Sequence, residues 1–389
     1  MSTSGTNTSD NHNYLPLLRI AATTSLASTS SFDSSRIEFH RRNPDVSLQS
    51  HMRDKRCQLG AAVTSIQRIY LDQRFWLLLR DVSLGRSRDM ATSDLLAFLR
   101  FLVSKGKAIC PISESVFIEL LKQSDKATRL ATAQLIDDLS LGITLIPFDE
   151  RVRQELCNSF YEQAGAKGLI PLQQLVWTKL AYVLGEIHPS NTPFPPKEEL
   201  VIQKAFSDHI WKTSLVEIVK RIDEPPPQFD WDALAARLNA GNRAHYSTIR
   251  SYPQAFRAEF EGGLSLFRNE MVTLVKELDE RGYSDFGEKL AHLSHKKRFE
   301  TFSQSIPSLY IYGTCHAAVR WDQKRNLCGN DLFDFHHAQA ALGYCDVFLT
   351  EKPLTDMLSQ QHLGLSKYKC RTFWSPASAL SWLRENGAT

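Results

Sequence analysis

Two stretches of this sequence, one towards each end, alternate short apolar runs with segments of helical periodicity. They cover residues 64–155 and 306–389, and the helical patterns between the runs have the length of ordinary globular helices. The strand-like runs are Ile66–Leu71, Ala108–Cys110, Gly142–Phe148, Asp346–Thr350 and Cys370–Trp374. Strands that alternate with helices in this way predict an α/β fold, with a parallel sheet wound by helices.

The residues between these stretches, 156–305, have a different character. They are mostly helical in pattern, with proline-rich interruptions at 188–196 and 225–227 that cannot lie inside helices and are predicted to be connectors. Phe256, Phe260, Leu264 and Phe267 recur at helical intervals, which predicts the buried stripe of an amphipathic helix. We therefore expect a large helical insertion.

The N-terminal residues 1–35 are rich in Ser, Thr and Asn and contain few aromatics. Such a segment cannot bury enough apolar surface to offset its ordering entropy, so it is predicted to be disordered and dispensable for folding. A basic patch follows, with two open interpretations: a solvated charged surface, or an arm that contacts phosphates. Its members are Arg36, His40, Arg41, Arg42, Arg53, Lys55 and Arg56.

The overall composition and the cysteine pattern bear on whether the protein binds nucleic acid, crosses a membrane or is secreted. The chain has 389 residues with 46 Lys plus Arg against 43 Asp plus Glu, and a net charge of +3 neither demands nor excludes nucleic acid. No apolar run approaches the roughly 20 residues of a membrane helix, and the first residues lack the apolar and basic regions of a secretory signal. The seven cysteines form no C-x-x-C pair. We expect a soluble protein of the reducing cytoplasm that contacts no membrane.

Acidic residues follow the predicted strands. Asp72 ends the first strand, Glu119 lies in the helix after the second, and Glu351 follows the strand that ends at Thr350. Asp331 and Asp334 are three residues apart near the start of a helix and so share one face. Because the carboxyl ends of parallel strands meet at one edge, we expect these acids to converge there and to hold Mg²⁺ or Mn²⁺.

Each acid also has a structural interpretation when taken alone. Asp72 could be a turn residue, Asp331 a helix cap, Glu119 a surface residue, and Asp346 a cap at the start of its strand. The position of Glu351 at the carboxyl end of the strand predicts that it matters more for activity than Asp346 at the amino end. Asp346 is then expected to accept backbone N–H bonds.

Four segments, taken in order along the chain, resemble the motifs of the PIN-like domain family. They are Ile69–Trp76 with Asp72, Ile112–Leu121 with Glu119, Asp334–Ala341 with its alanine-rich helix, and Val347–Glu351. The resemblance implies one α/β nuclease domain built from both ends of the chain, with residues 156–305 inserted. It implies metal-dependent phosphodiester cleavage, most often of RNA, with Asp72, Glu119 and Asp334 as metal ligands.

The sequence departs from the family pattern at one position. Lys352 stands where the family often places its last Asp, so that Glu351 or Asp331 would have to substitute. This departure favours an alternative from a different class: a catalytically degraded PIN-like module that binds nucleic acid or, through its insertion, a protein partner. The interpretation we favour is a divalent-metal-dependent endoribonuclease.

Several further residues have two open interpretations. Arg320, Lys324 and Arg325 form either a solvated helix face or the phosphate grip of a substrate channel, and Lys296–Arg298 are similar. His336 and His337 either pack within or on their helix, or line the acid site as possible ligands.

Overall fold

The computed structural model describes residues 33–222, 229–283 and 299–386. The sequence predictions for most of the N-terminal tail, for the connector at 225–227 and for Lys296–Arg298 lie outside these residues. At the end of the predicted tail, Asp33 caps a helix that begins at Ser34, because its carboxylate accepts the Ser35 N–H. The helical part of the chain therefore starts slightly earlier than the composition predicted.

The described strands are β1 (Gln67–Leu71), β2 (Ala108–Ile109), β3 (Ile143–Leu145), β4 (Trp177–Lys179), β5 (Val347–Leu349) and β6 (Arg371–Phe373). Up to residue 222, the helices are α1 (Ser34–Arg41), α2 (Leu48–Thr64), α3 (Gln73–Ser83), α4 (Met90–Ser104), α5 (Glu114–Leu121), α6 (Lys126–Ser140), α7 (Phe148–Gln163), α8 (Leu172–Leu175), α9 (Pro196–Ile210) and α10 (Leu215–Lys220). From residue 229 they are α11 (Trp231–Ala244), α12 (Tyr252–Ser265), α13 (Arg268–Glu280), α14 (Phe299–Ser305), α15 (Pro307–Trp321), α16 (Gly329–Tyr344), α17 (Lys352–Leu358) and α18 (Pro376–Asn386).

Four of these strands form a parallel sheet in the order β2–β1–β5–β6. Leu71 at the end of β1 lies opposite Leu349 at the end of β5, and Leu349 lies opposite Phe373 of β6. The two ends of the chain thus meet in the middle of one sheet, with their carboxyl ends at a common edge. The predicted mixed α/β fold with a parallel sheet is confirmed.

The central segment, residues 156–305, also contributes a strand. Its β4 pairs antiparallel with β3, with Leu145 opposite Trp177, and the pair is joined to the end of β2 by a bridge between Ile112 and Thr144. Only Trp177, Thr178 and Lys179 are extended in β4, too few to show alternation in the sequence. The central segment is therefore not purely helical.

The described residues bury two apolar clusters. The main core surrounds the parallel sheet and includes residues of β4, α9 and α10 from the central segment. A smaller core lies between α7, α12, α13 and α15, and buries Phe256, Phe260 and Phe267, with Leu264 packed against them. The predicted burial of these residues is thus confirmed, although Phe267 lies beyond the end of α12, at the N-cap of α13. None of the described helices combines the length and apolarity needed to cross a membrane.

A buried arginine joins the central helices to those that follow. Arg151 in α7 donates to the Ser308 hydroxyl at 2.9 Å and to the Gln339 side-chain oxygen at 2.6 Å. It thereby ties α7 to α15 and α16 through hydrogen bonds that water cannot replace. The boundary we predicted between residues 155 and 156 falls inside α7, so the segment continues from the α/β part without a break in the helix.

Candidate active site

Asp72 lies at the carboxyl edge of the sheet, as its position after β1 predicted. Its backbone N–H donates to the Leu349 carbonyl at 3.0 Å, which fixes it beside the end of β5. The side chain caps α3 by accepting the Phe75 N–H at 3.0 Å and is only 3% exposed. Burial raises its pKa to about 6, even though His337 and the Phe75 N–H lower it.

Asp334 faces this edge from α16. Its carboxyl makes no hydrogen bond or ion pair with another residue in the described part of the chain, unlike that of Asp72. Its pKa is raised from 3.8 to about 7, mainly by burial and also by the charges of Asp72, Glu351 and Glu119, against the opposing effect of His337. The four acids are therefore close enough to repel one another, which is the convergence that the sequence predicted.

Glu119 is held in place by a chain of buried polar side chains. Its carboxylate lies 2.8 Å from His337 Nε2, and His337 Nδ1 lies 2.8 Å from the Tyr70 hydroxyl. That hydroxyl is 2.6 Å from Ser113 Oγ. Ser113 occupies the N-cap position of α5, but its side chain contacts Tyr70 and makes no capping hydrogen bond.

His337 is the residue that the sequence left ambiguous and that the structure puts among the acids. It is 1% exposed, and although burial lowers its pKa, Glu119, Asp72 and Asp334 together raise it above the ordinary value. The raised pKa of His337 favours its protonated form, which would offset part of the repulsion among the three acids. Its place three residues after Asp334, on the same helix face, was the signal available in the sequence.

The end of β5 supplies the remaining groups at this edge. The Thr350 hydroxyl is fully buried and near enough to Asp72 to lower its pKa, but it meets hydrogen-bond geometry with no described residue. Glu351 is exposed at the N-cap position of α17. The ammonium of Lys352 lies 5.4 Å from the centre of the Trp374 ring. Lys352 thus contacts an aromatic ring at the position where the resemblance led us to look for an acid.

Two acids of the sequence analysis have structural partners. Asp331 accepts the Cys328 N–H at 2.8 Å with one oxygen and pairs with Arg325 through the other. Asp346 accepts the Arg68 backbone N–H at 2.8 Å and the Arg68 guanidinium at 2.7 Å. Because both oxygens of Asp331 are engaged, we replace its assignment as a metal ligand by helix capping. The expected backbone contact of Asp346 is confirmed.

The basic residues suggested as a phosphate grip are also partly engaged. Arg320 donates to Glu259 at 2.6 Å, and Arg325 is occupied by Asp331, whereas Lys324 is exposed. Lys122 is a further cation of this region: it follows Glu119 by three residues, and its ammonium is 3.6 Å from the centre of the Phe333 ring. Burial lowers the pKa of Lys122, while the charge of Glu119 opposes this shift.

The acids at the sheet edge are not drawn tightly together. We looked for three His, Cys, Asp or Glu side chains whose possible metal-ligand atoms lie within 4.8 Å of one another. In residues 33–222, 229–283 and 299–386, one such group is found, and it consists of His40, His51 and Asp208. No three of the acids around Asp334 in the described residues come this close together. Their donor atoms are all carboxylate oxygens, which suits a hard divalent cation such as Mg²⁺ or Mn²⁺.

The cluster at Asp208 was missed in the sequence because its acid lies far along the chain from the basic patch. His40 and His51 lie 3.1 and 3.0 Å from the Asp208 oxygens, and the Lys55 ammonium lies 2.5 Å away. Burial raises the pKa of Asp208, but hydrogen bonds from His51 and Lys55 outweigh it and hold the pKa well below its usual range. Lys55 already supplies the positive charge there, and a divalent cation would meet its repulsion.

Other members of the basic patch are also paired. Arg41 bonds Glu198 at 2.8 Å, and Arg56 lies 3.1 Å from Glu186. These contacts join α1 and α2 to α9 and to the chain before it. The patch thus serves in part to attach the N-terminal helices to the rest of the protein.

No known protein-family model matches the sequence, and comparison with curated proteins and solved structures finds no significant match either.

Proposed function

We propose that the protein is a PIN-like, divalent-metal-dependent nuclease that cleaves RNA. The observation that carries the proposal is the convergence of Asp72, Glu119, Asp334 and Glu351 at the carboxyl edge of the sheet. Acids that raise one another's pKa oppose folding unless a ligand offsets their repulsion, so their grouping at one edge of the sheet favours a bound cation. The choice of RNA over DNA rests on the resemblance alone.

The residues at the edge fit Mg²⁺ or Mn²⁺. Asp72 and Asp334 would hold the ion, with Glu119 and Glu351 as further oxygen ligands or as acceptors for its water. When bound, such a cation lowers the pKa of a water molecule and stabilises charge on a phosphate. No side-chain nucleophile is needed for phosphodiester hydrolysis of this kind.

The protein's own residues would position the acids. His337 orients the Glu119 carboxylate and is in turn oriented by Tyr70, so rotation of Glu119 would break a buried hydrogen-bond chain. The Phe75 N–H holds Asp72 at the helix N-terminus. The buried Thr350 hydroxyl lies beside Asp72 and lowers its pKa, so it would favour the ionised carboxylate that a cation needs.

The test is cleavage of labelled single-stranded and duplex RNA and DNA with Mn²⁺ or with EDTA. We expect wild-type protein to cut RNA only with the metal, and Asp72→Asn and Asp334→Asn each to abolish cleavage while the fold survives. Asp346→Asn is the matched control, because its carboxylate lies at the amino end of β5. Normal cutting by both Asp72 and Asp334 variants, with unchanged metal dependence, would show that the site is wrong.

The second candidate is a non-catalytic module that binds nucleic acid or a protein partner through the central segment. Lys352 and the wide spacing of the acids favour it. Titration calorimetry with Mn²⁺ separates the two: a nuclease should bind the ion at a specific site that Asp334→Asn removes. A protein that binds labelled RNA but shows no such site would support the second candidate.

A further inference from the structure

An exposed aromatic ring lies at the same edge of the sheet as the acids. Trp374 directly follows β6 and is 45% exposed, whereas burial is the rule for large aromatic side chains. The neighbouring Phe373 turns inward and packs on Trp382, with 5.8 Å between ring centroids. The tryptophan, and not its neighbour, is therefore the side chain offered to solvent at the carboxyl end of β6.

Two cations flank this tryptophan. The Lys352 ammonium lies 5.4 Å from the ring centre, and the Arg74 guanidinium donates to the Trp374 carbonyl oxygen at 3.2 Å. Both come from segments that carry acids of the candidate site: Lys352 follows Glu351, and Arg74 is two residues after Asp72. Aromatic and basic groups therefore lie at the same edge of the sheet as the acids.

We propose that Trp374 is a stacking platform for an unpaired base of a single-stranded nucleic acid, whose backbone phosphates contact Lys352 and Arg74. This inference rests on the proposed nuclease function and specifies its substrate as single-stranded. The clustered acids repel phosphates, and the two cations would offset that repulsion beside Trp374. A base in a duplex has both faces covered by its neighbours, whereas an unpaired base can lie on an indole ring.

The inference also gives the departure at Lys352 a role. An acid at this position would add negative charge between Glu351 and Trp374. That charge would repel the phosphates of a strand bound at Trp374. A lysine there contributes a phosphate contact and a cation–π contact instead. Lys352 would thus contribute to substrate binding at a position where the family often has a metal-binding carboxylate.

The experiment measures binding of labelled oligouridylate, oligodeoxythymidylate and duplex RNA by fluorescence anisotropy in EDTA, where metal-dependent cleavage is silent. We expect Trp374→Ala to weaken binding of both single strands about 5- to 100-fold, and Trp374→Phe, which keeps a stacking face, to weaken it much less. Duplex binding should be weaker than single-strand binding and unchanged by either variant.

Phe101→Ala is the matched control. Phe101 is 50% exposed on α4, which leads into the amino end of β2 and so lies towards the opposite edge of the sheet. It should bind like wild type. Lys352→Gln provides a readout independent of the tryptophan variants. It should weaken single-strand binding, and the slope of the logarithm of the binding constant against the logarithm of the salt concentration should become about 1 less steep.

Three results would overturn the platform: wild-type protein that does not prefer single strands, Trp374→Ala that binds them like wild type, or equal losses for single strands and duplex. These outcomes are distinct from failure of the nuclease proposal. Absence of Mn²⁺-dependent cleavage alongside Trp374-dependent binding would reject the nuclease and keep the platform. If wild-type protein cleaves RNA and Trp374→Ala binds single strands as wild type does, the platform is rejected and the nuclease proposal is kept.

Discussion

Replacing Asp334 by Asn should stabilise the metal-free protein above neutral pH. The pKa of Asp334 is raised from 3.8 to about 7 by burial and by its acidic neighbours. Between these values the folded chain binds a proton that the unfolded chain does not, so stability falls as pH rises through this window and the full penalty applies above about pH 7. Asn cannot ionise, and the variant should escape the penalty.

The size of the effect follows from the same shift. Each tenfold change in proton affinity is worth about 1.4 kcal/mol, so that ionised Asp334 lowers the free energy of unfolding by about 4 kcal/mol if it acts alone. Because part of the repulsion is shared with Asp72 and Glu119, we expect a gain of about 2–4 kcal/mol at about pH 8 and about 1 kcal/mol at about pH 5. The carboxyl has no hydrogen bond to lose among the described residues.

The assay is urea denaturation with EDTA at both pH values, and Asp331→Asn is the matched control. Asp331 lies on the same helix but pairs with Arg325 and the Cys328 N–H, so its variant should lose about 1–2 kcal/mol at about pH 8. Saturating Mn²⁺ should raise the melting temperature of wild type and leave Asp334→Asn unchanged. A loss of stability in Asp334→Asn, or an equal gain at both pH values, would refute the reasoning.

Two further predictions concern other carboxylates. Asp208→Asn leaves the cations around it without a buried anion and should cost about 2–4 kcal/mol in the same denaturation assay. Glu198→Gln, which breaks an exposed ion pair on the same helix, should leave the free energy of unfolding nearly unchanged. In cleavage assays at limiting metal, Glu351→Gln should reduce activity more than Asp346→Asn, and activity lost only in a folded Asp346 variant would contradict the assignment of the sheet edge.

The sequence predicted the acid edge because strand direction and residue position are local signals. A short apolar run that ends in Asp72, and another followed by Glu351, suffice once the strands are taken as parallel. The order of elements then brought Asp334 to the same edge from the following helix. These predictions needed no knowledge of the central segment.

Other features depended on partners that local patterns do not reveal. Asp331 and Asp334 look alike in the sequence, and what separates them is the Arg325 guanidinium that occupies only the first. Asp208 lies 168 residues from His40, so nothing nearby in the sequence marked it as the anion of the basic patch. Strand β4 is extended because it pairs with β3, since its three residues are too few to carry a period of their own.

The pairing of β1 with β5 has a consequence for how the protein is made. Arg68 and Asp346, which bond across these strands, are 278 residues apart. On a ribosome, Asp72 and Glu119 emerge long before Asp334, so the nascent chain must hold its first strands without their central neighbour until β5 has been made. Any activity of the acid edge is therefore withheld from translation products that stop before β5, and a protease cut within residues 156–305 would leave two fragments that must stay associated to retain it.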